Sequence, residues 1–230
     1  MGQAKQLHTK ALELREQGKF SESIAVNDEA LLAATQEGNV GEYAANIACL
    51  ALTRKVRAGL KKNPWELHLA EGELQAAVNL VKEHGKPEDI AVPLYQLAQI
   101  KEDLGKFSEA VATYKEALQH FEQHPPESHN RPSVIADVKV HMTACEYKAG
   151  DKIALDRLHK ALADLEASDE PDSYAKHVWI SGGYMRLATI LRTDQPDDAR
   201  LYLARAKETI DADDRLVVRK QQWEQLAATF

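Results

Sequence analysis

The sequence predicts an all-α chain of repeated helical hairpins, and three observations predict it. The pentapeptide GKFSE occurs twice, at Gly18–Glu22 and at Gly105–Glu109, each time between two runs of helical periodicity. Small residues seven apart recur on five predicted helices: Ser23/Ala30, Ala70/Ala77, Ala110/Ala117, Ala154/Ala161 and Ala199/Ala206. Their first members advance by 47, 40, 44 and 45 positions, a rhythm that points to an internal repeat. Finally, Ala, Leu, Glu, Lys and Gln dominate, as suits helices, and no run of alternating β-branched residues reads as a strand.

Each element follows from local signals. Leu7, Ala11 and Leu14 predict a first helix over 2–17. Gly18 ends it, because glycine enters the left-handed region at a helix end without steric cost. Ser21 is expected to start the second helix, with Ile24, Ala30 and Leu31 inward, until Gly38-Asn39. A third helix is predicted over 41–58 with Ile47, Leu50 and Ala51, followed by a break at Gly59–Pro64. Pro64 suits the first position of the fourth helix, which runs to about 84 through Leu67, Ala70, Leu74 and Ala77. After Gly85-Lys86-Pro87, a fifth and a sixth helix face each other across Gly105, with Ser108 expected as the cap of the sixth. The polar linker 124–132 leads to a seventh helix over 133–149, closed by Gly150. An eighth carries Leu158 and Leu165. A ninth spans 173–192, and its internal Gly182-Gly183 predicts a kink or a close crossing. A tenth begins near Pro196. The last, over 215–230, is expected to place Leu216, Trp223, Leu226, Ala227 and Phe230 on one face.

A seven-residue separation is about two helical turns, so each small pair shares a face where a partner helix can approach closely. This pattern resembles the tetratricopeptide repeat (TPR), a helix–turn–helix with a turn glycine, an aromatic just after it and spaced alanines in the second helix. The third hairpin carries it fully, at Leu94, Leu97, Ala98, Gly105, Phe107, Ala110, Tyr114, Ala117 and Leu118. The first carries Leu7, Ala11, Gly18, Phe20 and Ala30, while the other three are degenerate. The spacing of about 44 exceeds the usual ~34 and is similar to the long repeats of kinesin light chains and Rap-type regulators. The resemblance implies one right-handed superhelical solenoid over 1–230. Its repeats are 2–38, 41–84, 88–124, 132–168 and 172–212, with a capping helix over 215–230.

The resemblance also implies a function: a non-enzymatic scaffold or adaptor that binds a protein or peptide on the concave wall made by the first helices. By the repeat's usual register, the inward positions in the first two repeats are His8, Leu12, Arg15, Leu52 and Lys55. In the third they are Tyr95, Gln99 and Glu102, and further on Asp137, Val140, Tyr147, His177 and Tyr184. The carboxylate clamp of chaperone-binding repeats needs a lysine and an asparagine where this chain has His8 and Leu12, so that ligand is not expected. The alternative is a peptide-responsive regulator whose curvature changes on binding. The final helix is a candidate homodimer contact through Trp223 and Phe230.

Other functional classes are disfavoured. A net charge of −7 argues against a general nucleic-acid or membrane-surface binder. The one basic concentration, Arg54, Lys55, Arg57, Lys61 and Lys62, reads as a solvated helix end. His120 and His124, four apart, lack a third metal ligand, and no phosphate loop or nucleophile motif occurs, so neither a cofactor nor catalysis is expected. Cys49 and Cys145 read as small buried residues. Without a signal-peptide core, the expected compartment is the cytoplasm.

Overall fold

A computed structural model describes residues 2–230. Among these residues there are eleven α-helices and no strand. They form two compact units, Met1–Asn130 and Arg131–Phe230.

The first unit holds α1 (Gln3–Glu16), α2 (Phe20–Gln36), α3 (Val40–Lys61), α4 (Trp65–His84), α5 (Ala91–Asp103) and α6 (Phe107–Gln123). Consecutive helices pack pairwise, and α3 also packs on α1 and α5. Its small pairs lie at the helix contacts: Ser23, Ala30, Ala70, Ala77, Ala110 and Ala117 are all at most 2 % exposed. Around them sit Leu50, Leu74, Leu94, Leu97 and Tyr114, each fully buried and each contributing on the order of 1.5–3 kcal/mol.

The two GKFSE turns have one backbone. Gly18 and Gly105 take φ of 74° and 75°, and the lysines after them take φ/ψ of −84°/60° and −81°/56°. Lys106 N–H donates to Lys101 O and Gly105 N–H to Glu102 O, both at 2.9 Å, which satisfies the last carbonyls of α5. This closure also corrects the expected caps. The lysine that donates backward is itself the residue preceding the next helix, so α2 and α6 begin at Phe20 and Phe107, and Ser21 and Ser108 lie inside them.

The third helix is longer than predicted. It runs through Gly59, and the left-handed residue at its end is Lys62, with φ 53° and ψ 42°. Asn63 N–H donates to Ala58 O at 3.0 Å, closing the same kind of turn without glycine. The basic concentration is likewise not a plain solvated end. Arg54 pairs with Glu73, Arg57 Nε donates to Glu66 at 2.8 Å, and Lys55 Nζ donates to Gln99 at 2.9 Å. Lys61 and Lys62 are exposed.

The second unit holds α7 (Pro132–Lys148), α8 (Ala154–Ala167), α9 (Ser173–Leu191), α10 (Pro196–Asp211) and α11 (Val217–Ala227). Leu158, Leu162, Leu165, Tyr184, Leu187 and Leu191 build its core with Ala161, Ala199 and Ala206. Gly183 marks a close crossing. A Cβ there would lie 2.7 Å from Leu162 Cδ1 and 3.5 Å from Val140 Cγ1. The α8–α9 connection is pinned by Glu170, whose fully buried carboxylate accepts from Arg131 and from the Ser133 hydroxyl at the start of α7. The last helix is shorter than predicted. Trp223, Leu226 and Ala227 are half-buried, but Phe230 lies beyond the helix beside Arg192. Hydrogen bonds from Trp223 Nε1 to Leu203 O (2.9 Å) and from Arg219 to Val178 O (3.1 Å) fasten α11.

Candidate interaction surface

In the first unit, the first helices α1, α3 and α5 are joined by polar side chains one repeat apart. His8 Nδ1 lies 3.3 Å from Asn46 Oδ1, and burial pushes the His8 imidazole below its ordinary pKa, favouring the neutral ring. Leu12 packs against the Ala11, Val26 and Cys49 cluster. Arg15 is buried, bonded to Glu16 and 4.0 Å from Cys49 Sγ. Lys55 bridges to α5, donating to Gln99 and lying 3.7 Å from Asp103. Leu52 is half-buried beside it in sequence on α3.

Tyr95 and Glu102 turn toward their own hairpin partner. The Tyr95 ring lies 6.0 Å from Tyr114 and 6.2 Å from Phe121, both on α6. Glu102 is 4 % exposed and accepts from the Tyr114 hydroxyl at 3.0 Å. The polar seam of this unit therefore runs through His8, Asn46, Lys55, Gln99 and Asp103.

The second unit repeats the device. Arg186 on α9 donates to His141 Nδ1 on α7 at 2.7 Å, and His141 Nε2 lies 3.9 Å from the buried Asp137. His141 and Arg186 are 45 positions apart, as Lys55 and Gln99 are 44 apart. Val140 is buried in the core. Tyr147 is half-buried, and its ring carries Lys152 Nζ at 4.0 Å from the centroid. His177 lies 3.5 Å from Asp213, whose carboxyl is held well below the usual range by hydrogen bonding to Arg215. Tyr184 is buried and stacks on Tyr202, with Arg205 over both rings. Burial, together with the nearby Glu166, pushes its hydroxyl up to about 12.

Among the predicted inward positions, Arg15, Gln99, Glu102, Asp137, Val140 and Tyr184 are thus buried, and the rest are half-buried. Sequence reasoning missed Asn46, His141 and Arg186. The repeat period itself could have found His141 and Arg186, because polar residues one period apart on neighbouring first helices can pair. Among the described residues, no group of three or more His, Cys, Asp or Glu is placed to hold a metal, and His120 is a partly buried residue with a lowered pKa. No described helix is long and apolar enough to cross a membrane. Cys49 and Cys145 are free and buried.

Comparison with solved structures places this architecture. Nearly identical TPR-like repeats of a kinesin-light-chain-like protein from Podosopora anserina superpose with a TM-score of 0.58 at 14 % identity, covering 90 % of this chain and 94 % of that one. The fold is tetratricopeptide-like. BtubC (BKLC) from P. vanneervenii shares this TPR-like fold with a TM-score of 0.62 at 22 % identity, over 90 % of this chain and 80 % of its own. A Rap protein complexed with Competence and Sporulation Factor matches with a TM-score of 0.59 at 18 % identity; 98 % of this chain is covered, but only 62 % of the Rap chain. No family model matches the sequence, and no curated protein matches it significantly. The TPR-like hairpins explain why the ten small residues of the five pairs are all buried: they are where paired helices meet.

Proposed function

We propose that this protein is a non-enzymatic interaction module. It binds a protein or peptide along the first-helix surfaces, α1, α3 and α5 in one unit and α7 and α9 in the other. The observation that carries the reading is the polar seam in each unit. Lys55–Gln99 and His141–Arg186 tie neighbouring first helices together at repeat spacing, which fixes in each unit a wall of first helices along which an extended peptide can lie. Rigid amphipathic rings such as Tyr147 supply contact area at low entropic cost.

Tyr147→Ala and Lys55→Ala test it, because both residues are half-buried and outside the apolar core. Partners captured from the native cell by the wild-type chain should be lost by the double variant, with the far-ultraviolet circular dichroism unchanged. Full retention of every partner would reject the surface assignment. Tyr95→Ala is a poorer probe, since its ring belongs to an aromatic cluster with Tyr114 and Phe121.

A second reading is a peptide-responsive regulator. The observation favouring it is the likeness to a Rap protein solved with a bound factor. Under this reading, a bound peptide changes the small-angle scattering profile. An unchanged profile at saturation rejects it.

A further inference from the structure

The first helices of the first unit share an uncharged strip. Leu12 and Leu52 each follow the small residue of their helix, Ala11 and Ala51, so they hold one repeat position. Both are half-buried. On α3, half-buried Ala45 and Val56 share the face of Leu52, at i−7 and i+4 from it. On α5, half-buried Val92 precedes Ala98 by the same interval as Ala45 precedes Ala51, which makes the two equivalent. Gln96 stands one turn after Val92 on the same face.

The charged groups that share these turns are engaged. Arg54 pairs with Glu73, and Arg57 with Glu66, both on α4. Lys55 is held by Gln99 and Asp103, and Glu16 by Arg15. Between them the strip presents alkyl surface and one carboxamide. That carboxamide has an unmet need: Gln96 Oε1 is buried and accepts no hydrogen bond among the described residues. A buried carbonyl without a donor is costly. The Gln96 side chain is half-buried, and rotation about its torsions brings the group to the wall surface. There it can accept a peptide N–H at Oε1 and donate to a peptide C=O from Nε2.

We infer that the first unit takes an uncharged, extended segment of a protein partner. Apolar side chains at alternate positions of that segment sit on Leu52, Val56 and Val92, and Gln96 holds its backbone. The inference rests on the interaction-module reading proposed above and specifies its ligand. A net charge of −7 disfavours an acidic segment at long range. A basic segment gains little, because Glu16 and Asp103 already have cationic partners.

The test is selection from a random peptide library displayed on phage, with the full chain as bait. A capped, fluorescein-labelled peptide made from the enriched sequences is then titrated with the chain. The expected result is enrichment of uncharged sequences with Leu, Ile, Val or Phe at alternate positions, bound equally well at low and high salt. Leu52→Glu should abolish binding, and Gln96→Ala should weaken it about tenfold. The circular dichroism of both variants should match the wild type, and Val92→Ser replaces Leu52→Glu if that variant does not fold. Enrichment of acidic or basic sequences, or affinity that falls with salt, overturns this inference and leaves the interaction module standing. Uncharged apolar peptides that bind the Leu52→Glu (or Val92→Ser) and Gln96→Ala chains as tightly as the wild type overturn it too. No enrichment at all overturns the inference together with the peptide-binding reading on which it rests.

Discussion

Two substitutions of opposite sign test the turn chemistry that sets this repeat. Gly105 and Lys62 end their helices in the same left-handed conformation, at φ 75° and φ 53°. For a residue with a Cβ, that conformation costs about 1–2 kcal/mol. Adding or removing the Cβ also changes the entropy of the unfolded chain, by about 0.4–1 kcal/mol in the opposite sense. The difference leaves about 0.5–1 kcal/mol in each case. At Gly105 no atom lies within 4 Å of an added Cβ, so the backbone conformation alone sets the cost. Gly105→Ala should therefore destabilise the protein by about 1 kcal/mol, and Lys62→Gly should stabilise it by a similar amount. Urea titrations followed by circular dichroism measure both, read at constant m-value so that the shift in midpoint reports stability. If Lys62→Gly lowers the midpoint, or Gly105→Ala leaves it unchanged, the left-handed closure does not govern these turns. The Lys62 ammonium is exposed, and its removal is expected to matter little to the fold.

Two further predictions follow from the buried polar groups. Glu170→Ala removes the acceptor of Arg131 and Ser133 and leaves a partly buried guanidinium without its carboxylate. It should cost about 3 kcal/mol and raise amide exchange at the start of α9; a variant as stable as wild type would refute the role of Glu170 as a latch. His8 has a folded-state pKa below its model-peptide value of 6.5, so the unfolded chain binds its proton first as pH falls. Stability should drop as pH falls through about 6.5 toward the lower folded value, and His8→Gln should flatten that slope while keeping a bond to Asn46. Equal slopes in both proteins from pH 7 to 5 would refute it.

Much of the fold was legible because it depends on short-range constraints. Turn glycines announce themselves, since only glycine is free of the Cβ penalty in the left-handed region. Paired alanines two turns apart mark close helix contacts, and Ala110, Ala117, Ala199 and Ala206 are each fully buried. Where a rule had an exception, the reading failed. Lys62 takes a glycine's conformation without a glycine's signature, so the end of α3 was placed too early. Ser108 has the composition of a cap, but the turn had already assigned that place to Lys106.

The candidate surface was legible only in outline. Register placed Lys55, Gln99 and Asp137 on the first helices, where they are found. It did not tell which side chain each would meet, because partners lie a full repeat away and depend on how two helices rotate against each other. Glu102 illustrates the limit. By sequence it is one more polar residue on a first helix, yet it accepts the Tyr114 hydroxyl inside its own hairpin.

The sequence by itself determined the all-helical class, the repeat period and the places where helices end and touch, because these follow from backbone sterics and side-chain size. Only the tertiary structure decided which polar groups are spent on holding helices together and which remain at the surface. Lys55 is tied to Gln99 while Lys62, a few positions on, is exposed. That division arises from distances across the packed helices, and charge or composition along the chain does not encode it.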